Sequence, residues 1–285
     1  MRHRLQKLSA FAAASLAAAA LGGAAALAAG SSSSAPAQTT TGQGQQSTVC
    51  PNPNPSGTAA GDVLQGTPRA DRMAGFGGDD LVSGRGGNDC LDGGEGDDTL
   101  AGGAGIDRLF GGPGSDGIAG GIDRDILFGG PGFDTIAGGL GNDQLRGDEG
   151  PDDLSGGSGN DVLFGNEAFD YLSGGLGNDQ LNGGEDSDDI EGGRGNDTLF
   201  GGSGFDYLSG GIGDDTLSGG DGDDRLDGGE GLNSYAAGAG DDFIDAANGT
   251  GERVGCGPGT DRVLADANDQ LFGCERISRL RPETS

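Results

Sequence analysis

The segment "GGLGNDQLN", Gly174–Asn182, decides how the rest of the chain is read. It holds three glycines, one aspartate and one leucine placed to face inward, Leu181, and a near copy, "GGLGNDQLR", occupies Gly138–Arg146, 36 residues upstream. Alone, such a segment has too little apolar surface to offset the entropy of ordering its glycines. Repetition changes the argument, because a unit that cannot bury its apolar face alone can bury it against copies of itself.

Working outward, the chain falls into 21 consecutive nine-residue frames, starting at Gly57 and ending with the frame that begins at Ala237. Position 6 is Asp in 20 of the 21, Asn233 being the exception, and position 8 is Leu, Ile, Val, Met or Tyr in all of them. Position 1 is Gly in every frame except the one starting at Ala237. A longer period lies on top: the stretches 120–146, 156–182 and 192–218 align with one another at a spacing of 36 residues, which marks successive modules of four nonapeptides each. Disordered low-complexity sequence does not hold an apolar position in register over such a length, and collagen fails because Gly does not recur every third residue.

Within one frame, G-G-x-G-x-D permits a tight turn with exposed backbone carbonyls, and x-U-x is a minimal strand whose middle side chain faces inward. Two frames, or 18 residues, then make one coil, and coils stack at about 4.8 Å. Position 8 fills a thin apolar centre, and position 6 lines both edges with carboxylates. Two carboxylates about 5 Å apart repel by roughly 3 kcal/mol at an effective dielectric near 20. The formal net charge of −30 makes the same demand on the whole chain and disfavours nucleic acid and anionic lipid as partners. A cation between coils answers it. Carboxylate and carbonyl oxygens at flexible spacing suit Ca²⁺; zinc and copper want His or Cys, and the single histidine, His3, lies in the N-terminal segment.

At this point the array resembles the RTX (hemolysin-type) calcium-binding repeats, consensus GGxGxDxUx. Close matches are "GGEGDDTLA" (93–101), "GGAGIDRLF" (102–110), "GGPGFDTIA" (129–137), "GGSGNDVLF" (156–164), "GGRGNDTLF" (192–200) and "GGDGDDRLD" (219–227). The resemblance implies an all-β fold, a right-handed parallel β-roll with two repeats per coil, with multiple Ca²⁺ held between a turn and the turn 18 residues later. Carried over, it pairs Asp143 with Asp161, Asp161 with Asp179, and Asp179 with Asp197. The expected metal ligands are Asp80, Asp89, Asp98, Asp107, Asp116, Asp125, Asp134, Asp143, Asp152, Asp161, Asp170, Asp179, Asp188, Asp197, Asp206, Asp215 and Asp224. Frames that depart from the pattern ("GTPRADRMA" at 66–74, "GNEAFDYLS" at 165–173, "GGEDSDDIE" at 183–191, "GGEGLNSYA" at 228–236) are expected to hold ions weakly or not at all.

The flanks read differently. Arg2, Arg4 and Lys7 precede an alanine-rich apolar run ending near Ala28, which reads as a cleaved export signal over residues 1–28, with a later cleavage candidate at 37. Residues 29–56 are a Ser/Thr/Gln/Pro linker, 57–245 the roll, and 246–285 a C-terminal cap. A secreted chain with four cysteines favours disulfides. Three connectivities are open; the local pair Cys256–Cys274 would staple the cap, and Cys50–Cys90 would tie the linker to the second coil.

Taken together, the expected protein is secreted, non-catalytic, folds on binding calcium, and has no membrane segment once mature. Enzymatic triads are disfavoured because the mature chain would lack histidine. An ice-binding array would need a regular outward row of threonine, and position 3 has none. The competing function is an adhesive or self-associating surface for a protein or cell-surface partner. Its basis is a stripe in which Phe128, Phe164 and Phe200, Phe133, Phe169 and Phe205, and Tyr171 and Tyr207 recur at 36.

Overall fold

The computed structural model describes Cys50 and residues 53–279. The expected export signal and nearly all of the expected linker lie outside the described residues. The linker's end does not stay loose: Asn54 and Ser56 form bridges to Arg72 and Ala74.

Two parallel sheets of 13 and 12 strands make up the described chain. Consecutive strands alternate between the sheets, so each strand pairs with the one 18 residues on: Gln144 with Val162, Leu145 with Leu163, Arg146 with Phe164. On the opposite sheet Asp153 pairs with Tyr171 and Leu154 with Leu172. This is the expected parallel roll, one strand of each sheet per coil. Every position-8 side chain from Leu64 to Ile244 is buried and joins one continuous core. Burying a leucine contributes about 2 kcal/mol, so the centre is a row of modest contributions, one per half-coil.

The strands are longer than the sequence pattern suggests. Most have six residues, as in Thr135–Leu140, TIAGGL. Each runs through positions 7 to 9 of one frame and on through positions 1 to 3 of the next. The alternation of buried and partly exposed residues along Thr135–Leu140 puts both position 8 and the following position-1 glycine inside. That glycine is therefore an interior strand residue. A β-carbon at Gly156 would lie 2.5 Å from Asp161 Oδ2 and 2.8 Å from Gly174 O, so a side chain there would displace the carboxylate.

Positions 2 and 4 take the left-handed backbone. Past the first two frames, where glycine is replaced the conformation persists: Asp123, Ala168 and Asp186 at position 4 have φ of 77°, 77° and 69°. The stacked neighbours dictate the turn, and a residue that disfavours it is held there regardless.

Beyond Ala246 the stacking continues. Arg253–Gly255 and Gln270–Phe272 extend one sheet, Arg262–Ala265 and Arg276–Arg279 the other. Both expected disulfides are present. Cys256–Cys274 links the segments that follow the adjacent strands Arg253–Gly255 and Gln270–Phe272, and Cys50–Cys90 fastens the incoming chain to the strand Cys90–Glu95.

Candidate metal centre

The turn geometry places the position-6 aspartates in two ladders, one along each edge. Asp89, Asp107, Asp125, Asp143, Asp161, Asp179, Asp197 and Asp215 share one edge with Asn233. Asp80, Asp98, Asp116, Asp134, Asp152, Asp170, Asp188, Asp206 and Asp224 share the other. All are buried, between 0% and 3% exposed. They form ladders along both edges, as the repeat leads one to expect, and they lie beneath the turn, against the position-1 glycine.

Each carboxylate is half satisfied. Asp143 N–H donates to Asp161 Oδ1 at 2.7 Å, Asp161 N–H to Asp179 Oδ1 at 2.8 Å, and Asp179 N–H to Asp197 Oδ1 at 2.8 Å. The pairs expected from the repeat are thus neighbours across coils, joined through backbone and carboxylate. The second oxygen, Oδ2, is buried without a hydrogen-bond partner in every one of the 17 aspartates from Asp80 to Asp224.

Burial is the largest electrostatic cost. It raises the carboxyls of Asp161 and Asp152 to about 7; a backbone hydrogen bond partly opposes it, and neighbouring carboxylates add to it. Asp179 is raised to about 6 for the same leading reason. Mutual repulsion between rungs, which the sequence brings to mind first, comes second to removal from water. A row of buried, ionised, half-satisfied carboxylates is not stable at neutral pH without protons or cations.

The donor set fits a hard cation. Among the described residues no group of three or more His, Cys, Asp or Glu side chains comes together. Ligands beyond the carboxylates would have to be backbone oxygens, which the glycines leave uncovered: a β-carbon at Gly159 would overlap Gly141 O in the preceding turn. Carboxylate plus carbonyl is calcium's preferred oxygen chemistry.

The two ends of the ladders are built otherwise. Asp62 Oδ2 accepts the N–H of Thr58 at 2.7 Å and its hydroxyl at 2.9 Å; Asp71 Oδ2 accepts the same groups of Thr67 at 2.6 Å and 2.9 Å. At the far end, Asn233 Oδ1 accepts Asp215 N–H at 2.9 Å, and Asn233 N–H donates to Glu252 Oε1 at 3.2 Å.

Three further acids belong to the ladders: Asp242, Glu252 and Asp261 are buried, each with one oxygen lacking a partner. Asp242 was visible as the position-6 residue of the last frame. Glu252 and Asp261 follow Asn233 and Asp242 by 19 residues, so one added residue hides them from a nine-residue frame.

A parallel solenoid whose stacked glycine turns bury a carboxylate each, in a set of otherwise carbonyl donors, defines a calcium-binding repeat protein. The model of the RTX calcium-binding nonapeptide repeat (four copies) matches residues 56–89, 92–127, 120–154, 128–163, 164–199 and 200–235. The chain belongs to that family. No curated protein matches it.

Proposed function

We propose that this is an exported, non-catalytic protein whose roll folds only when calcium occupies the sites between its coils, with Asp80 through Asp224 supplying the carboxylates. The observation that carries the reading is the unpartnered Oδ2 repeated at every one of these rungs. Outside the cell calcium is abundant and inside it is scarce, so folding would follow export. Binding that requires the folded state stabilises it by mass action, and many coupled sites make the transition steep. Circular dichroism at pH 7.5 should change from coil to β-sheet on adding millimolar calcium; identical spectra with and without the ion would overturn the reading. Export rests on residues 1–28, and an intact Met1 on the mature protein would refute it.

A second reading has its own observation. Phe164 and Phe200 on one sheet, and Phe133, Phe169 and Phe205 at the adjoining turns, are between 42% and 59% exposed. Phe110 and Phe128 stack at 5.0 Å on the same sheet face. Apolar rings exposed in a row mark a surface for a partner or a second copy. Replacing Phe128, Phe133, Phe164, Phe169, Phe200 and Phe205 by Ser should abolish such association and leave calcium-induced folding intact. Association that survives the change would make the rings a cover for the glycine turns.

A further inference from the structure

The turn at Gly228–Asn233, "GGEGLN", keeps the glycines of its counterparts and replaces the sixth-position aspartate by asparagine. Here three oxygens converge on one nitrogen. Asn248 Nδ2 lies 2.8 Å from Gly229 O, 2.9 Å from Gly231 O and 2.7 Å from Glu252 Oε1. An amide nitrogen has two hydrogens to give, so three acceptors exceed what it can serve with straight bonds. Two turn carbonyls and a carboxylate around one point make the oxygen environment of a small cation, and an uncharged amide fills it.

The placement is fixed on every side. Gly229 and Gly231 occupy the second and fourth positions, as glycines do in most of the turns. Glu252, 2% exposed, takes the place of the next coil's position-6 aspartate: it accepts Asn233 N–H as Asp161 accepts Asp143 N–H. The orientation of the Asn248 amide follows from Thr250, whose backbone N–H donates to Asn248 Oδ1 at 3.0 Å and so marks that atom as the oxygen. The Thr250 hydroxyl also donates to Gly231 O at 2.9 Å. Beneath, the Tyr235 hydroxyl accepts Gly228 N–H at 3.2 Å and donates to Asp245 O at 3.2 Å. Asn233 adds no charge to this rung.

We propose that Asn248 is a plug: its amide takes the seat that calcium takes in the equivalent turns, so the last nonapeptide turn of this edge closes without metal. The inference rests on the calcium reading above and sets the limit of the ion row at this end. At the opposite end the threonines that satisfy Asp62 and Asp71 do the corresponding work with hydroxyl and amide groups.

Native mass spectrometry of the intact calcium-saturated chain, which resolves bound ions one by one, tests it. Asn248→Asp should bind one calcium more than the wild type, and Asn248→Ala should bind no fewer. An unchanged count for Asn248→Asp, or the loss of one ion in Asn248→Ala, would overturn the plug; the second result would make the amide oxygen a ligand. Should Asn248→Asp fail to fold, the wild type still decides. The Asn248 side-chain amide protons should exchange slowly with solvent in the calcium-loaded protein, and fast exchange refutes the proposal. A wild type that binds no calcium at all fails the underlying reading instead, and the two failures are told apart.

Discussion

Without calcium, the chain should gain β-sheet circular dichroism as the pH is lowered from 7.5 to 5. The buried rungs have folded pKa values above their ordinary 3.8, about 7 for Asp152 and Asp161 and about 6 for Asp179. Between those limits the folded state binds more protons than the unfolded one, so acid favours folding. The stabilisation is complete below about 3.8 and is lost as the pH rises through about 7. Calcium reverses the sign, since an ion needs the ionised carboxylate and competes with the proton. In chelator, stability should rise towards acid; in millimolar calcium, it should fall over the same range. The window stops at pH 5 because the sequence pI is about 4.1, where solubility is poorest. A metal-free chain with the same coil spectrum at both pH values would show that proton binding cannot substitute for the ion.

Gly159→Val should abolish calcium-induced folding of the central coils. Gly159 has φ +141°, and a β-carbon there would overlap the carbonyl oxygen of Gly141. A β-branched residue adds strain at positive φ to the collision with backbone that cannot move aside, about 4 kcal/mol or more together. Gly255→Ala is the control. Its φ is not in the left-handed region, and its β-carbon would meet only Tyr235 O at 3.5 Å, so the change should stay within about 0.5 kcal/mol. Calcium titrations followed by circular dichroism separate the two, and equal midpoints would remove the steric argument for the turn.

Much of this architecture could be read from the repeat. Position 8 announced the core, and position 6 announced the ladders, because both hold one residue type in strict register. The role of position 1 was hidden: glycine signals a turn in any sequence, and only the stacked structure shows Gly156 making room for Asp161. The depth of the carboxylates was hidden for a related reason. Aspartate is an exposed residue by habit, and its burial here depends on backbone N–H groups one coil away. Glu252 and Asp261 escaped notice because a single added residue broke the frame, while glutamate's longer side chain still reached the same backbone partner. The capping threonine Thr67 sat in a frame that looked like a mere departure from the glycine pattern, and Thr58 drew no notice.

The alternation of strands between two sheets sets a quantum for changes in length. Removing one nonapeptide would send every later strand to the opposite sheet. Taken from between Phe128 and Phe164, it would move Phe164 and Phe200 off the face they share with Phe128, and Cys256 and Cys274 would approach the roll from the wrong side. Removing 18 residues preserves the faces, and removing 36 also preserves the spacing of the rings. A gene that grows or shrinks by duplication and loss can therefore try only even steps. The triple echo across residues 120–218 is what such a history leaves behind: a protein whose length is free to drift while its two sides keep their identities.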